Sequence, residues 1–218
     1  MFISGTSSAT SNKVQGNFIG TDANGTTPRG NAEAGVRVET PGNMIGGSVD
    51  AAANKIALNR SRGVIIVGDA ATGNSILRNS IFGNGIPPGL SIDLGDDDVT
   101  ANDPKDPDTG PNGLQNFPVL TSASETRIGG RLSSRPGRTF TIQFFSNPPP
   151  IVLTGFREGT TFLGEKTVET NSLGKASFAF NTTAITTGEV VTATATIQVG
   201  DPLRPGNTSE FSATRIVL

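Results

Sequence analysis

From residue 12 to residue 94 the apolar positions fall into very short steps, each introduced by an asparagine or a glycine. One series is Asn12-Lys-Val14, Asn43-Met-Ile45 and Asn74-Ser-Ile76, and a second is Asn17-Phe-Ile19, Asn54-Lys-Ile56 and Asn79-Ser-Ile81. A third opens on glycine: Gly35-Val-Arg-Val38, Gly63-Val-Ile-Ile-Val67 and Gly89-Leu-Ser-Ile-Asp-Leu94. No single step is long enough to stand alone as a strand, but three series of three make an internal repeat, the signature of a solenoid. Side chains alternate along an extended strand, so the residue two after each asparagine points inward. Lys13, Phe18, Arg37, Lys55, Ser75 and Ser80 then point outward. Asparagine and glycine suit the corners, where the chain adopts positive φ or bonds its own backbone. Rungs stacked about 4.8 Å apart bring equivalent asparagines into amide ladders, predicted here as Asn12–Asn43–Asn74 and Asn17–Asn54–Asn79. Residues 20–34 and 47–53 are read as corner insertions.

After residue 120 the asparagine repeat stops and longer alternating runs begin. Strands are predicted near 126–133, 139–146, 161–170, 176–181, 189–198 and 210–217. Tight turns such as Arg135-Pro-Gly-Arg138 and Asn171-Ser-Leu-Gly174 separate them, which suits an antiparallel β-sandwich. Leu114-Gln-Asn-Phe117-Pro-Val-Leu120 reads as a cap over the last rung with Phe117 as its plug. The proline run from Asn147 to Phe156 reads as a surface loop, with Ile151 and Val152 packed back on the sandwich. The chain divides accordingly into residues 1–120, rungs with an acidic loop and cap, and residues 121–218, the sandwich.

Composition narrows the chemistry. The chain has no cysteine, histidine, tryptophan or tyrosine. That excludes thiol nucleophiles, imidazole acid–base catalysis and His- or Cys-ligated metals, and it removes the usual platforms for stacking sugars or bases. Net charge is −2, with 8 Lys+Arg against 12 Asp+Glu in residues 1–120 and 9 against 7 in the rest. No basic stripe indicates nucleic acid, and no apolar run is long enough for a membrane span. The opening Met1-Phe-Ile-Ser lacks the regions of a signal peptide. A three-rung stack leaves its first rung uncovered, so further rungs N-terminal to this chain, or self-association through that edge, are expected.

Candidate chemistry concentrates in the acidic stretch that follows the last rung, residues 93–112, where seven aspartates face one lysine, Lys105. Asp106-x-Asp108-x-Gly110-x-Asn112 offers oxygens on alternate residues, as a loop does around a hard cation. The match to an EF-hand loop fails, since Gly110 stands at the fifth position and no glutamate follows. The candidate metal ligands are Asp93, Asp96, Asp98, Asn102, Asp103, Asp106, Asp108 and Asn112, with calcium as the cofactor; a solvated acidic turn is the competing reading. A catalytic reading would require a calcium-assisted lyase, with Arg37, Arg60, Arg62 or Arg78 as base, or a hydrolase with two carboxylates on adjacent rungs. No such pair is evident, so no catalytic residues are assigned.

The Asn-x-Ile-x-x-Asn-x-Ile steps, Gly16-Asn-Phe-Ile-Gly-Thr-Asp-Ala-Asn-Gly25, Asn43-Met-Ile-Gly-Gly47 and Gly89-Leu-Ser-Ile-Asp-Leu-Gly95 resemble bacterial secreted or cell-surface proteins with right-handed parallel β-helix repeats. Gly206-Asn-Thr-Ser-Glu-Phe-Ser-Ala213 resembles the last strand of bacterial Ig-like modules. The resemblance implies an all-β chain: a short right-handed parallel β-helix of about three rungs plus an antiparallel Ig-like β-sandwich. It further implies a non-catalytic structural or adhesion segment, extracellular or on the cell surface, with a polysaccharide or surface partner. The alternatives are a glycan-binding module or the remnant of a calcium-dependent polysaccharide lyase, because the same coil carries many functions.

Overall fold

The computed structural model describes residues 1–5, 10–85, 90–149, 157–200 and 204–218. The first part holds short strands β1 (Phe2–Ile3), β2 (Lys13–Val14), β3 (Phe18–Ile19), β4 (Val36–Val38), β5 (Met44–Gly46), β6 (Lys55–Ala57), β7 (Val64–Ile66), β8 (Ser75–Leu77), β9 (Ser80–Phe82) and β10 (Ile92–Leu94). They form three parallel walls, β2-β5-β8, β3-β6-β9 and β1-β4-β7-β10, each turn of the coil adding one strand to each wall. The fourth strand of the last wall, β1, was not expected; its Phe2 pairs with Arg37 and its Ile3 with Val38.

Register explains the repeat. Val14, Ile45 and Ile76 lie in line, as do Ile19, Ile56 and Ile81, and Val38, Ile66 and Leu94. All are buried in one apolar bore, each side chain stabilising the stack by about 1.5–3 kcal/mol. Both predicted ladders are present. The N–H and Nδ2 of each asparagine donate together to Oδ1 of its counterpart on the next rung: Asn43 to Asn74 at 2.9 and 2.9 Å, and Asn54 to Asn79 at 2.9 and 2.8 Å. A third ladder, Asn31–Asn59–Asn84, stands at the remaining corner. Its signal in the sequence is an asparagine four or five residues before each glycine of the third series. Two of those glycines, Gly35 and Gly63, are required by space: a Cβ on Gly35 would lie 2.6 Å from the Ile56 side chain, and one on Gly63 would lie 2.4 Å from Ile81.

The second part comprises β11 (Val119–Ser124), β12 (Arg127–Ser133), β13 (Thr139–Asn147), β14 (Thr161–Glu169), β15 (Lys175–Asn181), β16 (Val190–Val199), β17 (Arg204–Thr208) and β18 (Arg215–Ile216). They form two antiparallel sheets, β11-β12-β15 and β14-β13-β16-β17, with β18 also paired to β16. Phe140, Ile142, Phe144, Val191, Ala193, Ala195 and Ile197 of the larger sheet meet Ile128, Leu132 and Phe178 of the smaller one in a second core. The single strand expected over 210–217 is broken. Ser209 and Ser212 run beside β16 and place their hydroxyls where ladder acceptors would stand, receiving the N–H of Ala195 and Ala193. Ile151 and Val152 lie outside the described residues.

Strand β16 and most of β13, at the centre of the larger sheet, are buried on both faces. Thr192, Thr194 and Thr196, outward on β16, are covered, and Phe145 and Phe211 pack with Phe162 and Leu114 against the apolar bore. These phenylalanines close the far end of the coil, the role expected of Phe117; Phe117 instead lies beneath the Arg157 guanidinium, 4.5 Å from its ring centre. Ser75, expected outward, is buried because this sheet covers it. The edge of the last rung is also paired. Ile81 and Gly159 exchange two backbone hydrogen bonds, and the Ile76 N–H donates to Thr208 Oγ1.

The ladders set a gradient of importance. Asn54→Ala removes the shared acceptor of the Asn17 N–H and Nδ2 and a donor to the Val14 carbonyl, and should cost about 3 kcal/mol, read as a fall in the urea midpoint. Asn17→Ala, at the exposed end, should cost about 1 kcal/mol or less.

Candidate functional site

The acidic stretch does not hang free. Residues 93–98 fold over the outward face of the wall β1-β4-β7-β10, where Asp93 is fully buried although it stands in the outward register of Arg37 and Ile65. Arg62 Nε donates to Asp93 Oδ2 at 2.9 Å, and the Asp96 and Asp97 N–H groups donate to Asp93 Oδ1. Arg62 also pairs with Asp98, and Arg37 pairs with Asp96 at 3.1 Å and Glu39 at 3.0 Å. The turn needs positive φ at Asp96 and Asp98, a conformation that aspartate tolerates better than most residues. Ile65, on the outward register, is buried beneath this cluster.

The remaining candidates are used one by one. Asn102 and Asn116 act as side-chain substitutes for a strand ladder. Asn102 Nδ2 donates to the Phe117 carbonyl and its Oδ1 accepts the Phe117 N–H, while Asn116 does the same with Asp103. Asp106 is buried and accepts from Gln115 Nε2, the Ser134 hydroxyl and the Asn116 N–H. Asp108 presents its carbonyl to Arg135. Asn112 is the last step of the first ladder: its Oδ1 receives the Asn74 N–H at 3.0 Å and its Nδ2 donates to the Asn74 and Thr208 carbonyls. The eight residues therefore do not converge on one point. Among the described residues no three Asp, Glu, His or Cys side chains stand together as metal ligands, and Asp93, Asp96 and Asp98 are each paired with a guanidinium group. This donor set does not fit a divalent cation.

Three of the four candidate arginines, Arg37, Arg62 and Arg78, are engaged by carboxylates. Hydrogen bonds to Glu39 and Asp96 hold Arg37 above its ordinary value, and the hydrogen bond to Asp93 does the same for Arg62. Arg78 pairs with Asp50 and Glu165 and lies over the Phe162 ring.

Two carboxyls that the sequence did not single out occupy the junction between coil and sandwich. Glu210 Oε1 accepts the Leu94 N–H and its Oε2 the Thr100 N–H, both at 3.2 Å, while Glu158 Oε1 accepts the Gly83 N–H at 2.7 Å. Burial pushes Glu210 up to about 8; the Leu94 N–H opposes this, and the nearby Asp93 charge adds to it. Burial also raises Glu158 and Asp106. Arg157, which faces Glu210, is itself lowered by burial. These glutamates went unnoticed because buried acceptors and surface charges are the same letter in a sequence.

Among the surface clefts of the described residues, two border strand β2. One, of about 560 Å³, is the open mouth of the bore beside Phe2, Ile3, Lys13 and Val14. Another, of about 440 Å³, lies between the wall β2-β5-β8 and the β16–β17 hairpin, lined by Lys13, Met44, Ser75, Arg204 and Pro205. Among the described residues no acidic side chain lines either cleft.

No protein-family model matches the chain, and no curated protein is significantly similar to it.

Two outcomes follow from this geometry. Because Glu210 keeps its proton in the folded state up to about pH 8 but releases it near its ordinary value when unfolded, stability falls as pH rises from about 4.5 to 8. Melting temperature should decline across that window, and Glu210→Gln should flatten the decline. Melting in EDTA and in millimolar calcium should coincide, and a calcium-dependent rise would restore the metal reading.

Proposed function

We propose that this chain is a non-catalytic structural segment of a bacterial secreted or cell-surface protein, one that holds attached parts in fixed relation and serves adhesion. The observation that carries the reading is the engagement of Arg37 and Arg62 in ion pairs with Glu39, Asp93, Asp96 and Asp98 across one wall. A lyase on this coil would keep such groups free to meet a uronate and its proton. Docking supports the same reading. The sandwich joins the coil through backbone pairing, shared aromatic packing and buried hydrogen bonds rather than a linker, which suits a rigid spacer.

A second reading, glycan binding, is favoured by the cleft beside Lys13 and Arg204, where two cations stand without an opposing acid among the described residues. An acidic polysaccharide is the chemistry it would take. Eliminase assays on pectin and alginate test the main reading: ultraviolet absorbance of unsaturated product should not rise above the buffer rate, and sustained turnover would overturn it. A glycan array tests the second, where Lys13→Ala with Arg204→Ala should abolish retention of uronate-containing glycans.

A further inference from the structure

The two ends of the coil differ in chemistry, and the difference indicates what the open end accepts. Every ladder step between the asparagines that introduce rungs has one direction: the earlier asparagine donates two hydrogens and the later one accepts both on Oδ1. The far end therefore presents N–H groups, and side-chain oxygens meet them. Asn112 Oδ1 receives the Asn74 N–H, Thr208 Oγ1 that of Ile76, Gln143 Oε1 that of Arg78, Glu158 Oε1 that of Gly83, and Glu210 Oε1 that of Leu94. That end is closed.

The opposite end is the acceptor end. Oδ1 of Asn17 and of Asn31, which on later rungs receives two hydrogens, is met by no donor among the described residues, and both residues are exposed. Backbone groups face the same way. Met44 turns its N–H to the Asn12 carbonyl and Lys55 turns its own to the Asn17 carbonyl. In a parallel ladder the partners of these residues, Lys13 and Phe18, stand one rung earlier in the same orientation, so their N–H and carbonyl groups point out of the stack. Phe2 is placed likewise, because Arg37 and Glu39 donate to the Met1 and Ile3 carbonyls on either side of it. Phe2 and Phe18 are 58% and 51% exposed, and the bore mouth beside them is open.

We infer that this edge is a docking surface for a parallel, asparagine-led β-rung of another polypeptide, which would donate its asparagine N–H and Nδ2 to Asn17 and Asn31 and lower an apolar residue onto Ile3, Val14 and Ile19. A second copy of this chain is a poor occupant. Its far end is closed, so it can only arrive edge to edge with its strands reversed, and then the Oδ1 acceptors of one copy meet those of the other instead of asparagine donors. The surface is independent of the function proposed above, since it rests on hydrogen-bond direction alone.

A synthetic peptide of residues 36–59, which carries β4, β5 and β6 in the order that meets β1, β2 and β3, is the probe. Added to the full chain, it should bind saturably and slow hydrogen exchange at the Lys13 and Phe18 amides by about tenfold or more. The same peptide with Asn54→Ala, which lacks the side-chain donor to Asn17, should bind about tenfold more weakly. On the protein, Phe18→Pro removes the outward N–H and no ladder bond to the next rung; it should keep the melting temperature within a few degrees and lose the peptide. Lys13→Pro repeats the test at a second strand should Phe18→Pro fail to fold. Unchanged exchange at both amides, equal binding by the proline variants, or sedimentation of the chain as a dimer with these amides already protected would overturn the inference.

Discussion

Everything in the coil depends on one hydrogen-bonding device, an amide oxygen that takes two hydrogens from the rung before it. Strands of two or three residues have too few ladder bonds to define a wall, and the corners between them would leave backbone groups unpaired in a buried place. The asparagines supply those bonds. Asn54, Asn79 and Asn84 also return an Nδ2 hydrogen to the carbonyls of Val14, Ile45 and Ile56, so a single side chain ties its corner to the rung it follows. With the corners fixed, valine, isoleucine and leucine can fill a bore with no room to spare, as the glycines at Gly35 and Gly63 indicate.

The same directionality accounts for the buried acids. A stack that ends on donors needs acceptors, and the sandwich brings them on Gln143, Glu158, Thr208 and Glu210. Glutamate is an effective acceptor but a costly one to bury, and Glu210 lessens the cost by holding a proton up to about pH 8. The junction thus resembles the capping of an α-helix, where side-chain oxygens satisfy N–H groups that the regular structure leaves over.

The coil was readable because its rule is local: an asparagine and the apolar residue two places on fix wall, face and ladder together. The inward set from Val14 to Ile81 followed from alternation alone. The third ladder was harder, since Asn31, Asn59 and Asn84 precede their strands by different distances. In the sandwich, β12 to β16 followed from alternation, whereas β11 and β17 were not expected, and the break at Ser209–Ser212 gave no signal because hydroxyls replacing backbone acceptors leave no periodic trace. The acidic stretch was read as one site because its aspartates are close in sequence. In space they are divided among arginines, amides and a hydroxyl that come from distant positions, and only tertiary structure reveals those partners. Asn112 illustrates the point: its composition suits a cation loop, but its place in the stack makes it the fourth asparagine of a ladder.

Strand β16 has a consequence for how this protein can vary. Its valine and alanines belong to the sandwich core and its threonines to the seal over the coil, so no residue from Val190 to Ile197 faces water. Most strands on a protein surface accumulate substitutions on one face while the other is held by selection; β16 has no such free face. Sequence drift in relatives should therefore be slowest here, and coil and sandwich should be inherited as a pair, because exchanging either for a foreign module would strand one side of this segment without its match.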